Sequence, residues 1–347
     1  MRPFTQQERN EYMSYGLVFD SAITHMLEPS DFAMDAQPSL ITTVNGAVPA
    51  FLANYLDPKL IEVLVAPMKA EKIFPALKKG VATDITAMFE VVEYTGETSS
   101  YGDYNNNGAA GINTQFPQRQ SYLYQTVTSW GDMELERAAL AKLDLAGRKN
   151  TASVLVLNKF QNKTYFFGIS GLQNYGILND PSLTAPVAPG AKAFNTLTSG
   201  PWTTSGHITA TAAEIYLDIQ AMFRKVNSQM NGIIDTETPM LLAMSPNSSV
   251  ALTATNSFNV NVYDQLKKNF PNMRFETAPE YSTTAGELVQ LIVENIDGQE
   301  TGACCFNEKL RQFPIFRDLS SFRQKKMQGS FGAVIFRPAA ISQMLGV

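Results

Sequence analysis

Cysteine and histidine are nearly missing from this sequence of 347 residues, and so is any long apolar run. The two cysteines, Cys304 and Cys305, are adjacent, and neighbours in sequence cannot bridge without strain. A disulfide-stapled framework is therefore excluded, and the thiols read as buried and inert. The two histidines, His25 and His207, have no second nitrogen or thiol at metal-ligand spacing. No stretch approaches the roughly 18 apolar residues that span a bilayer. The opening Met1-Arg2-Pro3-Phe4-Thr5-Gln6-Gln7-Glu8 lacks the apolar centre of a signal peptide, so synthesis in the cytoplasm is expected. Basic surplus is also lacking: 27 Lys and Arg stand against 32 Asp and Glu, a formal charge of −5. A free nucleic-acid binder usually shows the opposite balance.

What is present is an ordinary folded composition, 44% hydrophobic and 17% charged, long enough for two or three packed units. Residues 1–46 hold scattered apolar residues among prolines and polar residues, without period. Such a stretch cannot offset its own ordering entropy, so it reads as an extended arm lying on neighbours. Helical pieces follow from Val48 to Leu77, broken at Pro58 and Pro67. Alternation over Ile85, Ala87, Phe89 and Val91 to Tyr94 predicts a strand, and alternation over Tyr122, Tyr124, Thr126, Thr128 and Trp130 predicts its return. Between them, residues 96–115 are rich in glycine and asparagine and free of basic residues, the composition of a broad hairpin tip.

Asp132-Met133-Glu134-Leu135-Glu136 opens a helix expected to run to about Tyr165. Leu135, Ala139, Leu143, Ala146, Val154, Leu157 and Phe160 form one stripe, acidic residues start it, and between Leu145 and Tyr165 the charges are only basic. At 1.5 Å per residue it would reach roughly 50 Å, with Gly147 near its middle as a hinge. A turn spans Phe167 to Pro181. Thr211 and Glu214 are spaced as a capping box, opening a helix that turns Ile215, Ile219, Met222, Phe223, Val226 and Met230 inward. Strands near 240–244, 273–277 and 288–293 alternate with helices near 247–256 and 261–269, an α/β pattern in one unit, 209–320. Phe331 to Ile341 reads as a last strand.

No catalytic constellation emerges. Ser170 lacks the glycine two places on that a nucleophile elbow requires, since Leu172 stands there. Gly108-Ala109-Ala110-Gly111 has no phosphate-binding lysine. Asp132, Glu134 and Glu136 are explained by a helix's first turn. Asn162-Lys163-Thr164 spells a glycosylation triplet inside an expected helix of an unsecreted chain. Arm, hairpin and long helix each lack a cover of their own, which points to a protein that assembles.

The order of these elements resembles the major capsid proteins of tailed bacteriophages, the α+β Hong Kong phage (Johnson) fold. Three stretches carry the likeness most closely: Gly171-Leu172-Gln173-Asn174 through Asn179-Asp180-Pro181, Trp202 to Ile219, and Gly332-Ala333-Val334-Ile335-Phe336-Arg337-Pro338. The resemblance implies an N-terminal arm over 1–47 and the first part of a peripheral (P) domain over 48–82. It implies an extended hairpin, the E-loop, over 83–131, and the P domain's spine helix with its following loop over 132–208. An axial (A) domain over 209–320 and a strand returning to the P domain over 321–347 complete it. The implied role is a coat protein, not an enzyme, with neither cofactor nor metal. Copies would join as hexamers and pentamers of an icosahedral shell around packaged double-stranded DNA, bound without sequence specificity and without a membrane. A portal at one vertex is implied, and a decoration protein is compatible. No segment of about a hundred residues precedes the arm, so a separate scaffolding protein is expected. The location implied is the virion, after assembly in the host bacterial cytoplasm. The alternative is an encapsulin-type nanocompartment subunit of the same fold. The hairpin tip, with Glu97, Tyr101, Asp103, Tyr104, Asn106 and Phe116, is the expected inter-subunit contact. The family's namesake cross-links through an E-loop lysine. No lysine occurs here between Lys79 and Lys142, so a noncovalent shell is expected.

Overall fold

The computed structural model describes residues 67–347 apart from Asn106, Lys142, 196–197, Ser205 and Asp297. The expected arm, the helical pieces up to 66 and Asn106 lie outside the described residues.

A short helix, α1 (Ala70–Ile73), leads into strand β1 (Ala76–Lys78). The expected hairpin is present but pairs differently. β2 (Thr86–Met88) pairs with β5 (Gln118–Gln120), and β3 (Val91–Glu97) pairs antiparallel with β4 (Ala109–Gln115), from Val91↔Gln115 to Glu97↔Ala109. The tip is therefore shorter than residues 96–115. The alternating segment β6 (Tyr122–Gly131) does not return along the first strand. It pairs instead, over ten residues, with a strand two hundred positions later.

The long helix is two helices, α2 (Asp132–Leu140) and α3 (Leu145–Phe167). Asp144 is the reason for the second start: its carboxylate accepts a hydrogen bond from Gly147 N at 2.9 Å, satisfying a free donor of the first turn. Gly147 is thus the third residue of α3, not the middle of a 50 Å rod. A Cβ there would sit 2.1 Å from Asp144 Oδ2, so glycine serves the approach of the capping carboxylate.

After a long irregular passage, α4 (Ala212–Gln229) starts with the expected capping box of Thr211 and Glu214. β7 (Met240–Met244), α5 (Pro246–Ala251), α6 (Val262–Asn269), β8 (Met273–Thr277) and β9 (Gly286–Val293) follow. The chain closes with β10 (Gly302–Gln312), β11 (Phe316–Asp318), β12 (Ser321–Ile335) and β13 (Ile341–Leu345).

Two sheets organise these strands. In the first, β12 is antiparallel to β6, β10 and β11, and β1 lies parallel to β10. In the second, β7 lies between β8 and β9, and β13 pairs with β9. The strand boundaries expected from sequence shift accordingly. β10, read with the unit 209–320, joins the sheet of β6 and β12. The final strand β13, read as returning to the P domain, joins the sheet of β7 and β9. Arg337-Pro338, in a short 3-10 turn, separates β12 from β13 and lets the two continue in different sheets.

β7 shows how the core is built. All five residues are buried. Met240, Leu242 and Met244 face one apolar cluster with Trp202, Ile215, Ile219, Met222 and Val226. Leu241 and Ala243 face another with Tyr165, Phe166, Ile177 and Tyr281. Period-two alternation in a strand covered on both sides thus feeds two cores at once. α3 lies across β12 and β6, where Tyr124 and Phe160 rings meet at 4.6 Å and Gln328 donates to Asn158 Oδ1 at 2.9 Å.

Candidate assembly surface and relatives

The two resemblance stretches most distant in sequence meet in space. Asn174 Nδ2 donates to Ser330 O and to Gln120 O, each at 3.0 Å, tying the turn after α3 to β12 and β5. Ala333 N donates to Tyr175 O at 2.9 Å. Gly332 sits at φ +77°, and a Cβ there would fall 2.2 Å from Tyr175 O, so only glycine fits. In the third stretch, Trp202 Nε1 donates to Asp218 Oδ2 at 2.7 Å. Lys192 Nζ meets the same oxygen at 2.5 Å, and Gly190 N donates to Oδ1 at 2.8 Å. Both charged side chains are buried, so this pair anchors the irregular passage onto α4 and is expensive to break.

Against those buried anchors the hairpin stands out. Every residue of β3 and β4 is exposed. Two strands with no core on either face are marginal in water. Tyr101 is 94% exposed and Tyr104 fully so, and the Tyr101 hydroxyl donates to Asp103 Oδ1 at 2.9 Å. Asn105 Nδ2 donates to Ser100 O at 2.8 Å and closes the tip locally. Glu97 is the last residue of β3 and borders the tip. Phe116 does not belong to the tip: it follows β4 at the base of the ribbon, one residue past the Val91↔Gln115 pair, and is half exposed. Gly147 lies in another element altogether, so the expected site residues are not one cluster. Sequence reasoning overlooked a further exposed apolar group, Ile315, Phe316 and Leu319 around β11, because it sat in a stretch read as part of the A domain.

Among the described residues no group of three or more His, Cys, Asp or Glu is placed to hold a metal. Ser170 and His207 are exposed on turns and short strands. Cys304 and Cys305 are free thiols, buried on opposite faces of β10. Burial raises both, Cys305 to about 12, so neither is an available nucleophile. No described helix is long and apolar enough to cross a membrane.

A two-sheet body carrying a projecting ribbon and a long helix across one sheet is the α+β Hong Kong phage (Johnson) fold of tailed-phage capsids. The chain belongs to the Pa193 gp26 major capsid protein family, whose model matches residues 39–346. Among solved structures it is similar to "The capsid of Myoviridae Phage XM1", at a TM-score of 0.70 and 14% identity, covering 87% of this chain and 100% of that one. It is also similar to "Capsid of native GTA particle computed with C5 symmetry", with TM-score 0.57, 11% identity and coverage of 88% and 99%. A third likeness is to a chain of "Mycobacterium phage Ogopogo", with TM-score 0.53, 10% identity and coverage of 84% and 96%. At such identities these likenesses speak of fold. No curated protein matches the chain by sequence.

Proposed function

We propose that this shell protein, a structural subunit of a tailed-phage capsid in the virion, assembles as hexamers and pentamers locked by its hairpin. The carrying observation is the ribbon of β3 and β4, exposed along both strands and tipped by Tyr101 and Tyr104. Tyrosine joins large area to a polar end and is favoured at interfaces. A ribbon that buries nothing in its own subunit gains its cover when laid on a neighbour. Heterologous contacts of that kind close into rings when the rotation permits.

On this reading the subunit acts mechanically rather than as an enzyme. It meets a portal at one vertex, is guided by a separate scaffolding protein and encloses double-stranded DNA without sequence preference; a decoration protein on its outer face is compatible with this reading. Assembly takes place in the host cytoplasm. Membership of a major capsid protein family favours this reading over an encapsulin-type compartment. Negative-stain microscopy of the recombinant chain should show shells or capsomer-like rings; a uniform monomer at high concentration would refute it. Because the hairpin has no lysine, particles boiled in detergent and reductant should release one band near 38 kDa, not a covalent ladder.

A further inference from the structure

We propose that the outward stripe of α3 is a docking face for the phosphate backbone of double-stranded DNA, the inference resting on the shell reading above. The chain as a whole is acidic, yet residues 145–179 contain no carboxylate. α3 carries Arg148, Lys149, Lys159 and Lys163 instead. Lys149 is engaged, 2.7 Å from Glu134 Oε1 and 3.1 Å from Ser129 O. Arg148, Lys159 and Lys163 are exposed, and among the described residues none has a side-chain hydrogen bond or an ion pair.

Their spacing puts them on one line. Positions 148, 152, 156, 159 and 163 recur at three- and four-residue steps, all exposed, while Ser153, Leu157, Gln161 and Thr164 are buried. From Arg148 to Lys163 the helix rises about 22 Å. Of the carboxylates that reach the helix, Glu134 pairs with Lys149, Asp144 caps Gly147 N and Glu280 accepts from Asn162 Nδ2 at 2.6 Å. Glu71, beside the helix, pairs with Lys309 at 3.0 Å. None of these carboxylates is ion-paired with Arg148, Lys159 or Lys163, so the stripe keeps three unpaired positive charges.

Duplex DNA matches such a surface. It carries about one negative charge per 1.7 Å of axis, so a 22 Å length holds roughly a dozen around its circumference, more than enough for three cations on one side. A protein segment matches it less well, because groove-bound peptides need apolar pockets and the stripe offers only Ala152 and Val156. The acidic residues 1–47, with their own leucines and phenylalanines, are therefore a poorer occupant. Lysine and arginine on one straight helix with no polar base-reading partner position phosphates without reading sequence. Three phosphate contacts imply a salt slope of about −2.7, roughly a 40-fold loss of affinity from 50 to 200 mM salt.

The test compares the full-length chain with its R148Q/K159Q/K163Q variant. Microscopy first shows whether each forms particles, which reports on the shell reading alone. A labelled 30-base-pair duplex is then titrated onto unassembled chain across that salt range. The variant should lose about 2.7 from the slope, two duplexes of unrelated sequence should bind alike, and an R224Q/K268Q control should keep the wild-type slope. An unchanged slope in the triple variant overturns the proposal, and so does tighter binding of polyglutamate, or of a peptide spanning residues 1–47, than of duplex at equal charge. In DNA-filled particles, formaldehyde should join nucleotides to the peptides bearing Lys159 and Lys163; adducts confined to other peptides also overturn it.

Discussion

Two β regions of this molecule obey the same pairing geometry and differ in everything around it. β7, Met-Leu-Leu-Ala-Met, is buried at all five positions between two apolar clusters. The ribbon of β3 and β4 pairs seven residues with seven and buries none of them. Backbone hydrogen bonds are common to both, and their net worth is modest because water competes for the same groups. Apolar cover makes the difference, at about 1.5–3 kcal/mol for each large side chain. One region is stable by itself, and the other depends on what it is laid against.

Substitutions should separate the two kinds of region. The largest effect is expected at the buried pair. Asp218→Asn leaves Lys192 charged inside the fold and should lower the stability of the unassembled subunit by about 3–5 kcal/mol, read by urea unfolding. Retention of wild-type stability would show that the pair is not what secures the loop to α4. Gly332→Ala comes next, with about 3 kcal/mol expected from a left-handed backbone and the clash with Tyr175 O. Double substitution of Tyr101 and Tyr104 by alanine inverts the pattern. Subunit stability should stay within about 0.5 kcal/mol, as for exposed sites generally, while assembly fails. Normal particles of normal thermal stability would remove the tip from the interface. Smallest of all is Gly147→Ala: the gain in helix propensity, about 1 kcal/mol, is offset by about the same loss as the Asp144 cap is displaced. A large stabilisation there would restore the hinge reading.

Much of this was legible in the sequence. The capping box at Thr211, the buried run 240–244 and the glycine-asparagine tip are local signals, and local signals survive without coordinates. Pairing partners were harder. β12 contains Arg323-Gln324-Lys325-Lys326-Met327-Gln328-Gly329, polar at nearly every position, yet Lys326 and Gln328 are buried. Lys326 Nζ donates to Asn150 O at 3.0 Å and to Ser153 Oγ at 2.5 Å, and Gln328 bonds Tyr124 and Asn158. Polar residues satisfied across 170 positions leave no trace in hydrophobic period. The same holds for β4, whose Ala-Ala-Gly-Ile-Asn-Thr-Gln has little strand propensity, and for the break before α3, where Ala-Lys-Leu-Asp continues a helical stripe. Exposure of the tip tyrosines followed from their neighbours, whereas the place of Phe116 depended on a register that no local pattern specifies.

The adjacent thiols of β10 carry a consequence for following the molecule in time. Cys304 lies in the cluster of Tyr165, Phe166 and Tyr281, and Cys305 in that of Phe89, Phe331 and Val334. A pulse of alkylating reagent can reach either only when its own cluster opens, because burial keeps both protonated. Trypsin releases the two together on one peptide, Phe275 to Lys309. Fragmenting that peptide between the two thiols therefore reads two clocks, one for each face of the strand, and records which side of the subunit loosens first as a shell changes shape.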